Sequence, residues 1–122
     1  MTPLTTSCEF GDVVLVPFPF TDLSSSKVRP ALVVSADPQG RDLVLAFISS
    51  VVSRHAERAD LVLLDDHPAF RSTGLKRPSV FRMSKLVTVE RSFVRRRLGR
   101  TTPQLLKELD DRLATALGLK RT

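Results

Sequence analysis

Residues 11–36 read GDVVLVPFPFTDLSSSKVRPALVVSA, two apolar runs rich in β-branched residues on either side of a proline- and serine-rich stretch. The runs at 13–16 and 31–36 are typical of buried strands. Proline removes a backbone donor that a sheet needs, and Thr, Asp and Ser favour turns, so we expect a loop between the two strands. Pro30 favours an extended conformation for Arg29, which predicts Arg29 as the last residue of that loop.

Outward from this stretch the β pattern continues. Residues 37–40 (DPQG) predict a turn, and residues 42–48 (DLVLAFI) predict a third strand that pairs with the second as a hairpin. The remaining expected segments are a fourth strand at 61–64, one short helical turn within 65–74, two β segments at 79–83 and 85–89, and an extended edge at 92–98.

A terminal helix is predicted over residues 102–118. Thr102 is suited to the N-cap, Pro103 to the first helical position and Gly118 to a left-handed C-cap. Leucines at 106, 109, 113 and 117 recur at three- and four-residue steps, which indicates one face packed on a sheet. Short strands with one terminal helix predict a mainly β fold, a small antiparallel β-barrel with a C-terminal α-helix.

Size and composition favour one intracellular domain. The chain has 122 residues, of which 42% are hydrophobic, so we expect a single domain over 1–122 with residues 1–8 flexible. The single cysteine, Cys8, cannot form an internal disulfide. No apolar run approaches the roughly 20 residues of a membrane span, and residues 1–7 do not resemble a secretory signal. We therefore expect a cytoplasmic protein with no membrane partner.

The formal net charge is +6 and the excess of basic residues is mainly arginine. Because the guanidinium fork suits phosphate, polyanions are natural partners. A basic surface can also serve solubility alone, and charge by itself favours neither interpretation.

Motifs distinguish these interpretations. Residues 11–22 (GDVVLVPFPFTD) and 27–35 (KVRPALVVS) resemble the N-terminal signature of the MazF/PemK toxins. The resemblance continues at 46–50 (AFISS) and at 79–88 (SVFRMSKLVT), and it extends from about residue 9 into the terminal helix.

This resemblance implies an SH3-like barrel of the CcdB/MazF type and a toxin that is a metal-independent, sequence-specific endoribonuclease of single-stranded messenger RNA. In that chemistry the 2′-hydroxyl of the substrate attacks the adjacent phosphorus and leaves a 2′,3′-cyclic phosphate and a 5′-hydroxyl. Arg29 and Ser49 match the family's catalytic arginine and threonine. Arg29 would hold the phosphorane oxygens, because a guanidinium keeps its positive charge and is therefore a strong donor and a poor base. Ser49 would donate to the scissile phosphate, and Ser50 could share or replace that role.

Further side chains are candidates for RNA binding. Basic residues can follow the phosphate backbone and aromatic rings can stack on bases, although phenylalanines in a small domain are more often core residues. The candidates are Phe18, Phe20, Lys27, Ser50, Arg54, Lys76 and Arg77. His55 and His67 have no convincing acid–base or metal-ligand spacing, so no metal or cofactor is expected.

The expected partners are single-stranded RNA, a second copy of the chain in a homodimer, and a cognate antitoxin whose acidic disordered tail occupies the RNA groove. With the antitoxin, DNA binding is also expected. Two alternatives stay open, because a fold alone does not fix function. One is a CcdB-like toxin that binds DNA gyrase without cleaving anything, and the other is a relative that binds RNA without catalysis.

Overall fold

The computed structural model describes residues 8–18, 27–37, 39–50 and 57–119. The elements of these ranges are β1 (Asp12–Pro17), β2 (Val28–Ala36), β3 (Asp42–Ser49), β4 (Asp60–Leu63), a 3₁₀ turn (Arg71–Thr73), β5 (Ser79–Glu90), a second 3₁₀ turn (Arg91–Phe93), β6 (Arg96–Arg100) and α1 (Pro103–Ala116). Within the described ranges no helix combines the length and the apolar character needed to cross a bilayer.

The strands form one sheet in the order β4-β5-β3-β2-β1-β6, and each neighbouring pair is antiparallel. Register shifts interrupt the β1–β6, β2–β3 and β3–β5 ladders. Such bulges bend strands and increase twist, so the sheet curls into a half-barrel with β4 and β6 at its edges. The predicted mainly β fold with a C-terminal helix is confirmed.

Both faces of the sheet bury apolar side chains. One core joins the sheet to α1, and Leu105 and Leu109 of the helix are 1% and 0% exposed in it, beside Phe81 of β5. The other core lies on the opposite face, where Val16, Ala31 and other small β-branched and aliphatic side chains meet. A sheet covered on both faces gives fixed positions to the strand ends.

The signals of the helix ends are confirmed. The Thr102 hydroxyl accepts a hydrogen bond from the Leu105 N–H at 3.2 Å, and Pro103 is the first helical residue. Gly118 has a φ of 72°, the left-handed conformation that glycine adopts without strain. The helix itself is Pro103–Ala116, slightly shorter than the range expected from sequence.

The segment after β4 packs tightly on β6. A Cβ on Gly99 would lie 2.2 Å from the Ser72 carbonyl oxygen, and one on Gly74 would lie 2.2 Å from the Leu98 carbonyl oxygen. The expected helical turn is thus the 3₁₀ turn Arg71–Thr73, and glycine on both sides allows it to contact β6 backbone to backbone.

Several boundaries differ from expectation. Arg29 is not the last residue of a loop but the second residue of β2, because β1 continues through Pro17, which pairs with Val28. The β1–β6 ladder ends at Leu15, so β6 requires no N–H from Pro17.

The later β segments also differ. The segments expected at 79–83 and 85–89 form one continuous strand, β5, with an irregularity in its pairing to β3. The edge expected at 92–98 begins only at Arg96, after the 3₁₀ turn Arg91–Phe93.

Candidate functional site

An open groove of about 650 Å³ lies where β1 and β3 end and β2 begins. It is bordered by apolar, hydroxyl and cationic side chains: Val16, Phe18, Val28, Arg29, Pro30, Ala31, Phe47, Ile48, Ser49, Ser50, Arg82 and Lys85. No acidic side chain is among these described lining residues. The groove is therefore a cationic depression with an apolar floor.

Arg29 is held in the groove by an aromatic side chain. Its Cζ lies 5.7 Å from the ring centre of Phe18, and the Phe18 ring contacts the Phe47 ring edge-on with a centre-to-centre distance of 6.4 Å. Nη1 of Arg29 also donates to the Val28 carbonyl at 3.3 Å. Within the described ranges no carboxylate pairs with Arg29, and its side chain is exposed. The guanidinium is thus oriented and still open to an anionic ligand.

The hydroxyl candidates border the same groove. Ser49 ends β3 and is half-buried, and Ser50 follows it and is exposed. Ala31 pairs with Phe47 at this end of the β2–β3 ladder. Residues two apart on a strand share a face, so Arg29 and Ser49 project side by side from one face of the sheet.

Two cations in the groove were not predicted as site residues. Arg82 of β5 pairs with Phe47 of β3, whereas the preceding residue of β3, Ala46, pairs with Leu86. Residues 83–85 of β5, which include Lys85, therefore form an irregularity in the β3–β5 ladder. That irregularity brings Lys85 to the groove. The available signal was a lone arginine between Phe81 and Met83 in an otherwise apolar run.

Arg82 has a buried counter-charge. Its Nε lies 3.3 Å from Oδ1 of Asp60, whose side chain is 2% exposed, although the angle is not that of a hydrogen bond. Oδ2 of Asp60 accepts the Glu57 N–H at 3.0 Å. The carboxylate is buried and is not among the described residues that line the groove.

The other predicted site residues lie elsewhere or outside the described ranges. Lys27 is exposed beside the groove, and its carbonyl accepts the Phe18 N–H at 2.9 Å. Lys76 and Arg77 are exposed ahead of β5 and do not line the groove. Phe20 and Arg54 lie outside the described residues.

Among the described residues, His67 and the potential metal ligands form no second centre. His67 is exposed, and its Nδ1 accepts the Ala69 N–H at 2.9 Å in a local turn. His55 lies outside the described residues. Across the described part of the chain, no group of three or more His, Cys, Asp and Glu side chains is placed to hold a metal ion.

Two arginines near the start of β1 form ion pairs with a buried aspartate. Asp12 is fully buried, and its Oδ1 accepts a hydrogen bond from Arg100 Nε at 2.8 Å, while Arg97 Nη1 lies 3.7 Å from Oδ2. The hydrogen bond and the charge of Asp12 raise the pKa of Arg100 above its ordinary value. These arginines neutralise a buried carboxylate away from the groove.

Comparison with known proteins connects this fold and groove to one family. A model described as PemK-like, MazF-like toxin of type II toxin–antitoxin system matches residues 9–117. No curated protein matches the chain. The fold is similar to a solved endoribonuclease in complex with its cognate antitoxin from a mycobacterial species, with 20% identity, a TM-score of 0.69, and coverage of 93% of this chain and 98% of that one.

Two further solved structures are similar. The Mycobacterium tuberculosis toxin MazF-mt6 is 17% identical, with a TM-score of 0.69 and coverage of 90% of this chain and 99% of that one. MazF from Deinococcus radiodurans is 20% identical, with a TM-score of 0.67 and coverage of 92% of this chain and 97% of that one. The family match includes every residue that lines the groove. This chain therefore belongs to the PemK-like, MazF-like family of toxins of type II toxin–antitoxin systems.

Proposed function

We propose that this chain is an endoribonuclease that cleaves single-stranded messenger RNA in the groove between β1, β2 and β3, without a metal ion. The observation that carries the proposal is the placement of Arg29 beside Ser49 in a cationic groove whose described lining has no acid. The solved relatives described as endoribonucleases support the same activity.

The reaction requires little chemistry from the protein because RNA supplies its own nucleophile. The 2′-oxygen bonds to phosphorus, the bond from phosphorus to the 5′-oxygen breaks, the 2′-hydroxyl loses its proton and the 5′-oxygen gains one. The products are a 2′,3′-cyclic phosphate and a 5′-hydroxyl. The protein must align the phosphate and stabilise the charge that develops on its oxygens.

Arg29 meets the electrostatic requirement. Its guanidinium donates to the non-bridging oxygens of the pentavalent phosphorus and to the departing 5′-oxygen, since it has several donors and keeps its charge. The Phe18 ring fixes one side of it. A fixed cation stabilises the transition state without reorganising during the reaction.

Ser49 supplies a neutral donor on the same face, and Ser50 stands next to it. Serine keeps the hydroxyl that threonine would offer but lacks the methyl group that restricts its rotamer. Ser49 is half-buried at the end of β3 and lines the groove. We assign phosphate binding to Ser49, with Ser50 as the neighbouring donor.

The test is cleavage of a long mixed-sequence single-stranded RNA in EDTA, followed by analysis of product ends. The native protein should cut and leave cyclic phosphates. Arg29→Ala should lower the rate by about 10²-fold or more, Ser49→Ala by less, since a charged donor contributes more than a neutral one. Arg71→Ala, at an exposed arginine of the 3₁₀ turn that does not line the groove, is the matched control and should cut normally.

Loss of cutting in EDTA would refute the metal-independent mechanism. A folded native protein that cuts no RNA would refute the nuclease and favour a gyrase-binding toxin. Binding without cutting would favour a non-catalytic RNA-binding relative.

We further propose a homodimer and an antitoxin whose acidic tail occupies the groove. An acidic segment and RNA would compete for Arg29, Arg82 and Lys85, so inhibition needs no conformational change. The mycobacterial relative solved with its cognate antitoxin supports this partner class. Cleavage that persists when the antitoxin is saturating would contradict inhibition by occupancy.

A further inference from the structure

Arg82 is a cation that the reaction as proposed does not use. Its side chain is 28% exposed and borders the groove, whereas Nε is turned toward buried Asp60 at 3.3 Å. Across the described part of the chain, the two Nη atoms of Arg82 make no hydrogen bond. The guanidinium therefore has one side fixed by a counter-charge and its outer donors unoccupied.

The carboxylate that Arg82 faces is anchored from two directions. Asp60 is tied to the backbone by the Glu57 N–H, and Arg112 of α1 donates to the carbonyls of Arg58, at 3.2 Å, and of Asp60. The terminal helix thus fixes the start of β4, and β4 fixes Asp60. Because Asp60 is fixed, its ion pair with Nε orients Arg82, and an oriented side chain loses less conformational entropy when it binds an anion.

The sheet register places Arg82 relative to the reaction centre. Ser49 pairs with Val80, and Arg82 lies two residues further along β5 on the same face. Two residues of a strand span about 7 Å. That offset separates Arg82 from the phosphate that Arg29 and Ser49 hold.

We infer that Arg82 is a second phosphate-binding arginine, which contacts a backbone phosphate next to the scissile one and fixes the register of the RNA in the groove. This role for Arg82 rests on the proposed function. It names the group on the RNA, a neighbouring backbone phosphate, that the groove residues of β5 recognise. The competing explanation is that Arg82 serves only to neutralise Asp60.

Binding as a function of salt separates the two explanations. The probe is a short mixed-sequence RNA with 2′-O-methyl sugars, which cannot be cleaved because it has no free 2′-hydroxyl. The slope of log K against log salt changes by about 0.7 for each single-strand phosphate contact that is lost. We expect Arg82→Gln to reduce the slope by that amount, and Arg82→Lys to keep it because the charge remains.

A double variant is the control for effects of the substitution on folding. Arg82→Gln alone leaves Asp60 buried without a partner, so its thermal unfolding midpoint should fall. The double variant Asp60→Asn, Arg82→Gln removes both charges. It should recover most of the stability and should still show the reduced slope of log K against log salt. Arg71→Gln is matched in net charge and lies outside the groove, so it should bind with the native slope.

A native slope in the double variant, with native protein that cuts the all-ribose form of the same RNA, would overturn this inference and leave the nuclease intact. An equal loss of slope in Arg71→Gln would also overturn it, because net charge alone would then explain the effect. A native protein that neither binds nor cuts RNA would overturn the proposed function and this inference together.

Discussion

Two buried aspartates, Asp12 and Asp60, begin strands near opposite edges of the sheet and share a local structure. Each is the first residue of its strand, and each carboxylate accepts the backbone N–H of the glutamate three residues earlier, at 2.9 Å from Glu9 and 3.0 Å from Glu57. Each backbone N–H in turn donates to that glutamate's carbonyl at 2.9 Å. The two turns are built alike and differ in their arginines.

Asp12 has two arginine partners, one of them through a 2.8 Å hydrogen bond, and neither lines the groove. Among the described residues Asp60 has one arginine partner, Arg82, whose Nε lies at 3.3 Å without hydrogen-bond geometry, and Arg82 borders the groove. A buried carboxylate requires compensation, so arginines near Asp12 contribute to stability. Arg29, with no acid among the described residues, and Arg82, with its outer donors unoccupied, provide charge for a ligand. Net charge counts both sets equally, although one set pairs with a buried carboxylate outside the groove and the other borders the groove.

Glutamine substitution at Arg29 and at the two Asp12 arginines should change different properties, cleavage in the first case and stability in the second, and this is the largest difference we expect. Arg29→Gln should lower RNA cleavage by about 10²-fold or more, because it removes the charge that stabilises the phosphorane. Its free energy of unfolding should change by less than about 0.5 kcal/mol, since the residue is exposed. Cleavage rates and urea unfolding of the purified variant measure both.

The counterpart is Arg97→Gln with Arg100→Gln, which leaves Asp12 buried without a cation. Its thermal unfolding midpoint should fall clearly, while cleavage per folded molecule stays within a few-fold of native. If this variant folds normally but loses cleavage as Arg29→Gln does, the division between structural and ligand-binding arginines is wrong.

The end of the molecule that holds Asp12 should also be sensitive to backbone spacing. Gly99→Ala adds a methyl 2.2 Å from the Ser72 carbonyl, so β6 and the 3₁₀ turn must separate. We expect a loss of about 3 kcal/mol in the free energy of unfolding, at the upper end of overpacking effects. Gly118→Ala is the control, since a Cβ there has open space, although its positive φ adds a smaller cost. Equal losses in the two variants would show that the β6 contact is not tight.

The sequence predicted the elements better than it predicted how they meet. β-branched runs gave the strands near their observed bounds, and Thr102, Pro103 and Gly118 gave the ends of α1, because these signals are local. The prediction that Arg29 ends a loop was wrong. The prolines indicated a loop there, whereas the pairing of Pro17 with Val28 extends both strands.

The groove shows the same limit. Arg29 and Ser49 were predicted as site residues through a family resemblance, Ser50 as the neighbouring hydroxyl, and Phe18 as a ring for base stacking. The structure brings all four to one groove. Their roles stay proposals. Arg82 was missed because its position depends on the register of β5 against β3 and β4, which no local pattern contains. Lys85 depends in addition on the irregularity within that ladder.

A smaller effect is expected at the aromatic support of Arg29. Phe18→Leu keeps an apolar side chain but removes the ring face that lies 5.7 Å from the Arg29 Cζ. An exposed cation–π contact contributes about 0.5–1 kcal/mol, so cleavage should fall roughly two- to fivefold. The matched control is Phe18→Tyr, which retains the ring and should cut nearly as the native protein does. A loss in Phe18→Leu as large as that of Arg29→Gln would give Phe18 a direct role in binding RNA.

The smallest effect concerns Cys8, which is buried near the Asp12 cluster. Burial, and secondarily the charge of Asp12, raise the pKa of the thiol above its ordinary value of 9.0, although Arg91 and Arg97 oppose the shift. A pKa raised in the folded state means that the folded protein favours the neutral thiol. This contribution to stability is present below about pH 9 and is lost as the pH rises through the folded-state pKa. Urea unfolding at about pH 8 and about pH 10 should show a larger loss for the native protein than for Cys8→Ala, which has no thiol to ionise. Equal losses would mean that the thiol ionises as easily in the fold as in the unfolded chain, and that the arginines around Asp12 compensate its burial as well.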